Sequence, residues 1–570
     1  MDYVKDLLRA INLYDEHDEN SRDELRDLVC CISENSRLKS MPFVSELLYI
    51  ASHKMRVFGY NNLNQFQEDP DDYARAIDLV KGDCILDSYK SENSHGWILD
   101  KTQKDILVFF NSLKCKRMLL SAPTSYGKTF LMREILYHNI KRYKNVVLVF
   151  PTIALLMENV SEMIQFVEAN NLEHRIIKSI GTDLDIDGYN IFVYTPERVL
   201  QLLARYPEIK IDFFFYDEIY KIDEDFDTDD DSTPNENIYE ADLLNTDRAK
   251  TFRIALYLLS KRVPEFYLAG PNLNSKNFGE GMKRYLEKYR VEMREISFEP
   301  TVRIAVEATR SILREEHRKA FKYLGIGDYD TRLKGNKPER IVGMANHIKN
   351  QKQGKALFYC MNPSKAGEYA EYLTSSEADY VITDPRLKSF IEHIYDTYNV
   401  NGSSRDWNLI RILKQGIGVH HGALPRYIQK EILSQFNKGN FKFLFCTSTI
   451  IEGVNTDAKN TIILNKRKGR KLLTAFDIKN IGGRAGRYHH NFIGRIYYME
   501  NGLLETLDSD STKLNFVTFD DETLGDLDVD NADLADLSGV NRESKKQRTD
   551  IQSSYILPRH VFEKNRLLPY

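Results

Sequence analysis

At 570 residues and 42% hydrophobic content, the chain has room for about three to four domains with ordinary packed cores, which excludes a disordered protein. Its net charge of -5 excludes a generally basic nucleic-acid binder but not a local basic groove, since two acidic tracts, Asp223 to Asp231 and the carboxylates between Glu505 and Asp536, mask any such patch. The longest apolar runs, such as Val146-Val147-Leu148-Val149-Phe150, are too short to cross a bilayer, and six scattered cysteines without a C-x-x-C pair argue for a reducing compartment and against structural zinc.

Residues 1–94 read as helical, because Leu7, Leu8 and Ile11, then Leu25, Leu28, Val29 and Ile32, then Val44, Leu47 and Leu48 recur near helical spacing. Met1-Asp2-Tyr3-Val4-Lys5-Asp6 shows neither a basic nor an apolar leader region, so a cytoplasmic location is expected. Cys30-Cys31 falls on the apolar face as core packing. This region carries no catalytic constellation and suits a docking or regulatory role.

Short β-rich runs then alternate with helical stretches over 95–302, with strands expected at Met118–Leu120, Val146–Phe150, Ile191–Tyr194, Ile211–Tyr216 and Phe266–Leu268. A second cycle over 303–500 has strands at Ala356–Tyr359, Phe443–Cys446, Thr461–Leu464 and Gly494–Tyr498. Such alternation predicts two tandem α/β units, each a parallel sheet with helices on both faces. Residues 501–570 form a short extension, acidic first and then mixed.

Chemistry enters at Ser121-Ala122-Pro123-Thr124-Ser125-Tyr126-Gly127-Lys128-Thr129, which follows a strand and opens a helix. Backbone N–H groups of such a loop, with the helix N-terminus behind it, face a polyphosphate. Lys128 can reach the β/γ-phosphates and the Thr129 hydroxyl can ligate Mg²⁺. Ala122 stands where the usual first glycine would be. Phe213-Phe214-Phe215-Tyr216-Asp217-Glu218 is a buried-strand pattern ending in two carboxylates at the edge where parallel sheets bind ligands. There Asp217 would hold Mg²⁺ and Glu218 would orient and deprotonate an attacking water.

In this order the motifs resemble a superfamily-two helicase of the DExH kind, most closely the superkiller-like branch, over roughly 95–500. The resemblance implies two RecA-like domains with ATP and Mg²⁺ in the cleft between them, and single-stranded or partly duplex nucleic acid across their top. It places Gln103 at the adenine-reading glutamine, and assigns Pro151-Thr152 and Thr195-Pro196-Glu197 to the nucleic-acid backbone, where short hydroxyls and N–H groups position without reading sequence. Gly418-Val419-His420-His421-Gly422-Ala423-Leu424 matches the branch's G-x-x-H-H-x-x-L element, which implies His421 on nucleic acid; nothing there suggests a metal. The run from Thr447 through Gly453 to Asn455 resembles the motif that touches both nucleic acid and nucleotide. Asn480-Ile481-Gly482-Gly483-Arg484-Ala485-Gly486-Arg487 is close to Q-M-x-G-R-A-G-R and implies that Arg484 and Arg487 reach the γ-phosphate, a task suited to a permanent, bidentate charge.

Between those two elements, Lys466, Arg467, Lys468, Arg470 and Lys471 make a basic cluster where the branch has a strand-separating hairpin. Three departures bear on coupling: Tyr220 replaces the histidine of D-E-x-H, Ala269-Gly270-Pro271 lacks the hydroxyls of S-A-T, and Asn480 shortens the usual glutamine. They leave open a second reading, an ATP-driven nucleic-acid sensor or clamp that controls a partner without unwinding. Residues 501–570 are too few for the winged-helix domain and ratchet helix that usually follow, which implies a minimal helicase, a piece of a longer one, or one whose protein partner, docking on the N-terminal helices or the extension, supplies the clamp. The helical N-terminus and the acidic insertion resemble helicase subunits of bacterial antiphage systems.

Overall fold

A computed structural model describes residues 2–64, 82, 84–93, 97–180, 184–223, 238–309, 312–313, 333–350, 354–374, 382–398, 407–450, 456–488, 490–508, 513–520 and 524–554. The first sheet contains β1 (Arg117–Ser121), β2 (Asn145–Val149), β3 (Arg175–Ile177), β4 (Asn190–Tyr194), β5 (Phe213–Tyr216), β6 (Glu265–Gly270) and β7 (Glu292–Glu295). Their order is β3-β4-β2-β5-β6-β1-β7, and every pairing is parallel. The second sheet contains β8 (Val302–Glu307), β9 (Ile312–Leu313), β10 (Ala356–Tyr359), β11 (Ile417–His420), β12 (Phe443–Cys446), β13 (Asn460–Ile463) and β16 (Ile493–Tyr498), in the order β11-β12-β10-β13-β16-β8-β9. Only its β8–β9 pair is antiparallel. The strands β14 (Arg467–Lys468) and β15 (Lys471–Leu472) form a separate antiparallel hairpin. These are two α/β units in tandem, as the alternating pattern predicts, and RecA-like, as the resemblance implies.

Central strands such as Phe213-Phe214-Phe215-Tyr216 are buried along their whole length, because crossover helices cover both faces of a parallel sheet. The sequence reading does not place β3, β7, β8, β9 or β11, and one strand that it does expect starts late. The β7 strand, Glu292-Met293-Arg294-Glu295, is mostly exposed and pairs only with β1, so no apolar run marks it. The strand expected from Ile211 begins at Phe213.

The terminal regions are exchanged between the units. Helices Asp2–Leu13, Glu19–Glu34 and Pro42–Met55 share one continuous apolar core with Val302, Ile304 and Val306 of the second sheet. Cys30 and Cys31 are buried in that core, as expected. Glu34 pairs with Lys459 and, at 3.6 Å, with Arg495 of β16. The Tyr60 hydroxyl donates to the Pro300 carbonyl, and Gly59 N–H donates to the Tyr488 hydroxyl at 3.0 Å. The N-terminal helices, expected as a docking region, are thus a wall of the second unit.

After β16 the chain returns to the first unit. Leu514 bridges Phe278, and Phe516 and Phe519 pack against Tyr285 at 4.8 and 5.8 Å. Asp223, first residue of the acidic tract, accepts the Asn515 N–H at 2.7 Å; residues 224–231 of that tract lie outside the described residues. Asp528 meets Arg253 at 2.8 Å with both side chains almost wholly buried, and Arg253 also donates to the Ile222 carbonyl at 2.9 Å.

A buried ion pair broken from one side leaves an uncompensated charge, at a cost of about 3–5 kcal/mol. Asp528→Ala should therefore lower the unfolding free energy read from urea titration by that order. Replacing both partners, Arg253→Met with Asp528→Leu, should recover most of the loss. Equal losses in the single and double variants would show that the charge pair is not what holds the extension.

Candidate nucleotide cleft and nucleic-acid face

All the parallel strands of the first sheet run the same way, so the loops after β1, β2, β4, β5 and β6 meet at one edge. After β1 the chain turns through Ser125 at φ +69° and Gly127 at φ +94° into the helix Lys128–Asn139. Lys128 folds over this loop, donating to the carbonyls of Ala122 at 3.0 Å and Pro123 at 3.1 Å. The loop is braced from below: Ala122 N–H donates to the Gly270 carbonyl at 3.2 Å, and the Ser121 hydroxyl donates to the Leu273 carbonyl at 2.7 Å.

Asp217 and Glu218 end β5, both buried. Glu218 sits in the left-handed region at φ +52°, a strained conformation for a residue with a Cβ, and its N–H donates to Asp217 Oδ1 at 3.0 Å. Burial, then the neighbouring Glu218, pushes the Asp217 carboxyl up to about 8. Burial holds the Lys128 ammonium below its usual range, against the pull of Glu218 and Asp217. Glu218 Oε2 is buried with no hydrogen-bond partner.

The second unit completes this cleft. The helix Ala475–Gly482 delivers Arg484, and Gly486 turns at φ +66° toward Arg487. A Cβ on Gly486 would strike the backbone of Gly494 in β16, so that position demands glycine, and one on Gly483 would press on the Thr124 side chain of the phosphate loop. Lys128, Thr129, Asp217, Glu218, Arg484 and Arg487 line one cavity of about 200 Å³. Burial lowers both guanidinium pKa values; Glu218 opposes this at Arg484, and Glu158 and Asp457 at Arg487. Glu158, Glu162 and Arg133 also line the cavity, and Arg133 pairs with Glu162. Sequence reading missed these three; the i,i+4 spacing of Glu158 and Glu162 on the helix Ile153–Ala169 was the available signal.

The donor set fits a magnesium nucleotide. Two adjoining buried carboxylates, one oxygen of which has no partner, favour a dication, and Thr129 lines the same cavity. Among the described residues no group of three or more His, Cys, Asp or Glu could hold a metal, so a cation there would take the rest of its shell from phosphate and water.

Gln103 is held at both ends of its amide: its Oε1 accepts the Asp100 N–H at 3.1 Å and its Nε2 donates to the Tyr126 carbonyl at 2.9 Å. It borders a second cavity of about 270 Å³ that opens between the loop and the N-terminal helices, with Tyr126, Phe298 and Tyr488 on one side and Tyr14, Arg22 and Arg56 on the other.

Residues expected on nucleic acid lie at the same edge of the two sheets. Thr152 caps the helix Ile153–Ala169 by accepting the Leu155 N–H at 3.3 Å, and Pro151 accepts from Arg248 at 2.9 Å. Thr195 occupies the N-cap position, without a side-chain capping hydrogen bond, of the helix that begins at Pro196 and carries Glu197 in its first turn. In the second unit, Thr447 N–H donates to the His420 carbonyl at 3.3 Å, placing Thr447 beside His421. Burial depresses His420 to about 3 and His421 to about 4, so both rings are neutral near pH 7. Gly453 and Asn455 lie outside the described residues.

The basic cluster forms the β14–β15 hairpin, whose Gly469 N–H donates to the Met361 carbonyl at 2.9 Å. Lys466, Arg467, Arg470 and Lys471 are exposed, but Lys468 is buried, because alternate side chains of a strand point to opposite faces. Lys468, expected to act with the other four cations of the cluster, therefore faces inward.

A folded-state Asp217 that titrates near 8, against an unfolded value near 3.8, binds a proton that the unfolded chain has lost. Stability should thus fall as pH rises from about 4 to about 8. Asp217→Asn should melt higher than the native chain at pH 8, without nucleotide, and the gap should close toward pH 4. A constant gap across that range would remove the titration.

The family model for DEAD/DEAH box helicases matches residues 102–233, and that for the helicase conserved C-terminal domain matches residues 397–489. Anti-bacteriophage protein B of Escherichia coli (strain K12) is 31% identical over 420 residues, 73% of this chain and 49% of that protein. The exosome RNA helicase MTR4 of Mus musculus is 22% identical over 70% of this chain and 38% of its own length. ATP-dependent DNA helicase Hel308 of Thermoplasma acidophilum is 23% identical over 67% of this chain and 50% of its own length. The chain spans half the length of these relatives or less.

Proposed function

We propose that this chain, which belongs to the superfamily-two helicases of the superkiller-like branch, hydrolyses ATP to move 3′ to 5′ along a single strand and part the duplex ahead. The observation that carries the reading is the shared cavity: Lys128, Thr129, Asp217 and Glu218 come from one unit, Arg484 and Arg487 from the other. Lys128 and the loop N–H groups bind the phosphates. Thr129 and Asp217 would hold Mg²⁺, which shields phosphate charge when bound. Glu218 takes the proton of the attacking water, since its second oxygen is unspent. Arg484 and Arg487 stabilise charge on the transferred phosphoryl, a contribution of about 10³–10⁵ in rate in other systems.

Closure of the cleft brings the two arginines to the phosphate, and release parts the units again. Alternate gripping by the two nucleic-acid faces, Pro151, Thr152 and Thr195 on one and His421 and Thr447 on the other, turns that cycle into steps. The larger second cavity suits the nucleobase. With Gln103 held by the loop and by Asp100, we assign it to shaping that cavity. Likeness to an anti-bacteriophage protein supports a role in defence against phage. A protein partner would meet the outer side of the helix Pro42–Met55, where Phe43 and Ile50 are exposed.

Turnover measured with and without single-stranded DNA or RNA, alongside strand displacement, tests this directly. Stimulated turnover without displacement would favour the sensor or clamp. Lys128→Ala and Glu218→Gln should both abolish turnover and differ in binding: the first weakens nucleotide affinity, the second retains ATP and holds the nucleic-acid-bound form. Near-native hydrolysis by Glu218→Gln would dismiss it as the base.

Neutralising Lys466, Arg467, Arg470 and Lys471 should spare strand-stimulated turnover and sharply reduce duplex separation. Single-strand affinity should lose salt dependence by about 0.7 per phosphate contact removed. Unchanged strand displacement would make the hairpin an ordinary surface turn.

A further inference from the structure

Two of the three departures from the branch's motifs, Tyr220 and Asn480, lie at one contact between the units, and the third, Ala269-Gly270-Pro271, immediately precedes Asn272 of that contact. Asn272, two residues beyond Gly270 at the end of β6, donates its side-chain N–H to the Asn480 side-chain oxygen at 3.2 Å. The Tyr220 ring, two residues beyond Glu218, meets the Phe476 ring edge-on at 4.8 Å. Phe476 and Asn480 are four apart on the helix Ala475–Gly482, so both lie on the face turned to the first unit.

Both ends of this contact adjoin residues hydrogen-bonded to the cleft. On the first unit, the Ser121 hydroxyl that begins the phosphate loop holds the Leu273 carbonyl at 2.7 Å, next to Asn272. Asn272 is itself set at φ +49°, a conformation that asparagine tolerates better than most residues. On the second unit, Thr474 and Asp477 cap the helix reciprocally. Arg484 N–H then donates to the Ile481 carbonyl at 3.1 Å, so Arg484 moves with Asn480.

We propose that Asn272 and Asn480 are positioning residues that form an inter-unit latch, linking the phosphate loop to Arg484 in place of the hydroxyl relay that Ala269-Gly270-Pro271 lacks. The latch rests on the helicase reading above. It closes with the cleft, so nucleic acid that favours the closed form accelerates turnover through it. Tyr220 on Phe476 supplies the hinge contact about which the amides engage.

The test is ATP turnover by the full chain, with and without a single-stranded oligonucleotide, for Asn272→Gly, Asn480→Ala and the pair together. Glycine is chosen at 272 because it accepts the positive φ. Basal turnover should stay within about twofold of native, while stimulation by the strand falls about 3- to 10-fold, the worth of one amide hydrogen bond. The double variant should fall no further than either single one, because the two residues act as one contact. Losses that multiply in the double variant, or stimulation unchanged in both singles, would overturn the latch. A native chain that shows no stimulation by any strand would instead overturn the helicase reading.

Discussion

Two carboxylates buried side by side at the end of β5 set the terms for the rest of the molecule. Asp217 and Glu218 cannot both carry charge in a low-dielectric cleft without a cation opposite them, and burial already drives the Asp217 carboxyl up to about 8. Lys128 answers from the loop after β1, and Arg484 from the second unit. Each of these cations is itself destabilised by burial. The cleft therefore collects opposed charges that neither unit could bury alone, and a substrate bringing both phosphate and a dication matches that deficit.

Holding opposed charges across a cleft needs a frame, and the exchanged ends of the chain provide one. The N-terminal helices complete the core of the second unit, while the segment after β16 is bound into the first through Phe516, Phe519 and the Arg253–Asp528 pair. Each unit is thus braced by the part of the chain beyond the other. Asp100 sits where these connections meet, accepting the Phe58 N–H at 2.8 Å and a hydrogen bond from Tyr488, the residue after Arg487. Through Gln103 the same junction reaches the phosphate loop.

The side chains proposed to grip nucleic acid are of a kind that positions a strand rather than reads its bases. Thr152, Thr195 and Thr447 are short polar residues at strand ends, and His421 is a neutral ring. Groups of this kind contact phosphate and sugar, and contacts of that class carry little base information.

Fold class and the core of the site were legible in the chain because both rest on local rules. Alternating apolar runs specify parallel strands, and a phosphate loop needs its glycine, lysine and threonine at consecutive positions whatever surrounds them. Gly483 and Gly486 were legible as part of a motif, although what a Cβ there would meet, Thr124 and Gly494, lies on other elements. Edge strand β7, inward-facing Lys468 and the amide pair Asn272–Asn480 were not legible, and the i,i+4 spacing of Glu158 and Glu162 marked a helix face without showing that it lines the cleft. Each depends on which element lies alongside, and composition and spacing report only on a residue's own segment. The sequence by itself determined the two sheets and the reactive loops at their edges; only the tertiary structure decided which charges face each other, because burial and distance are properties of the packed chain.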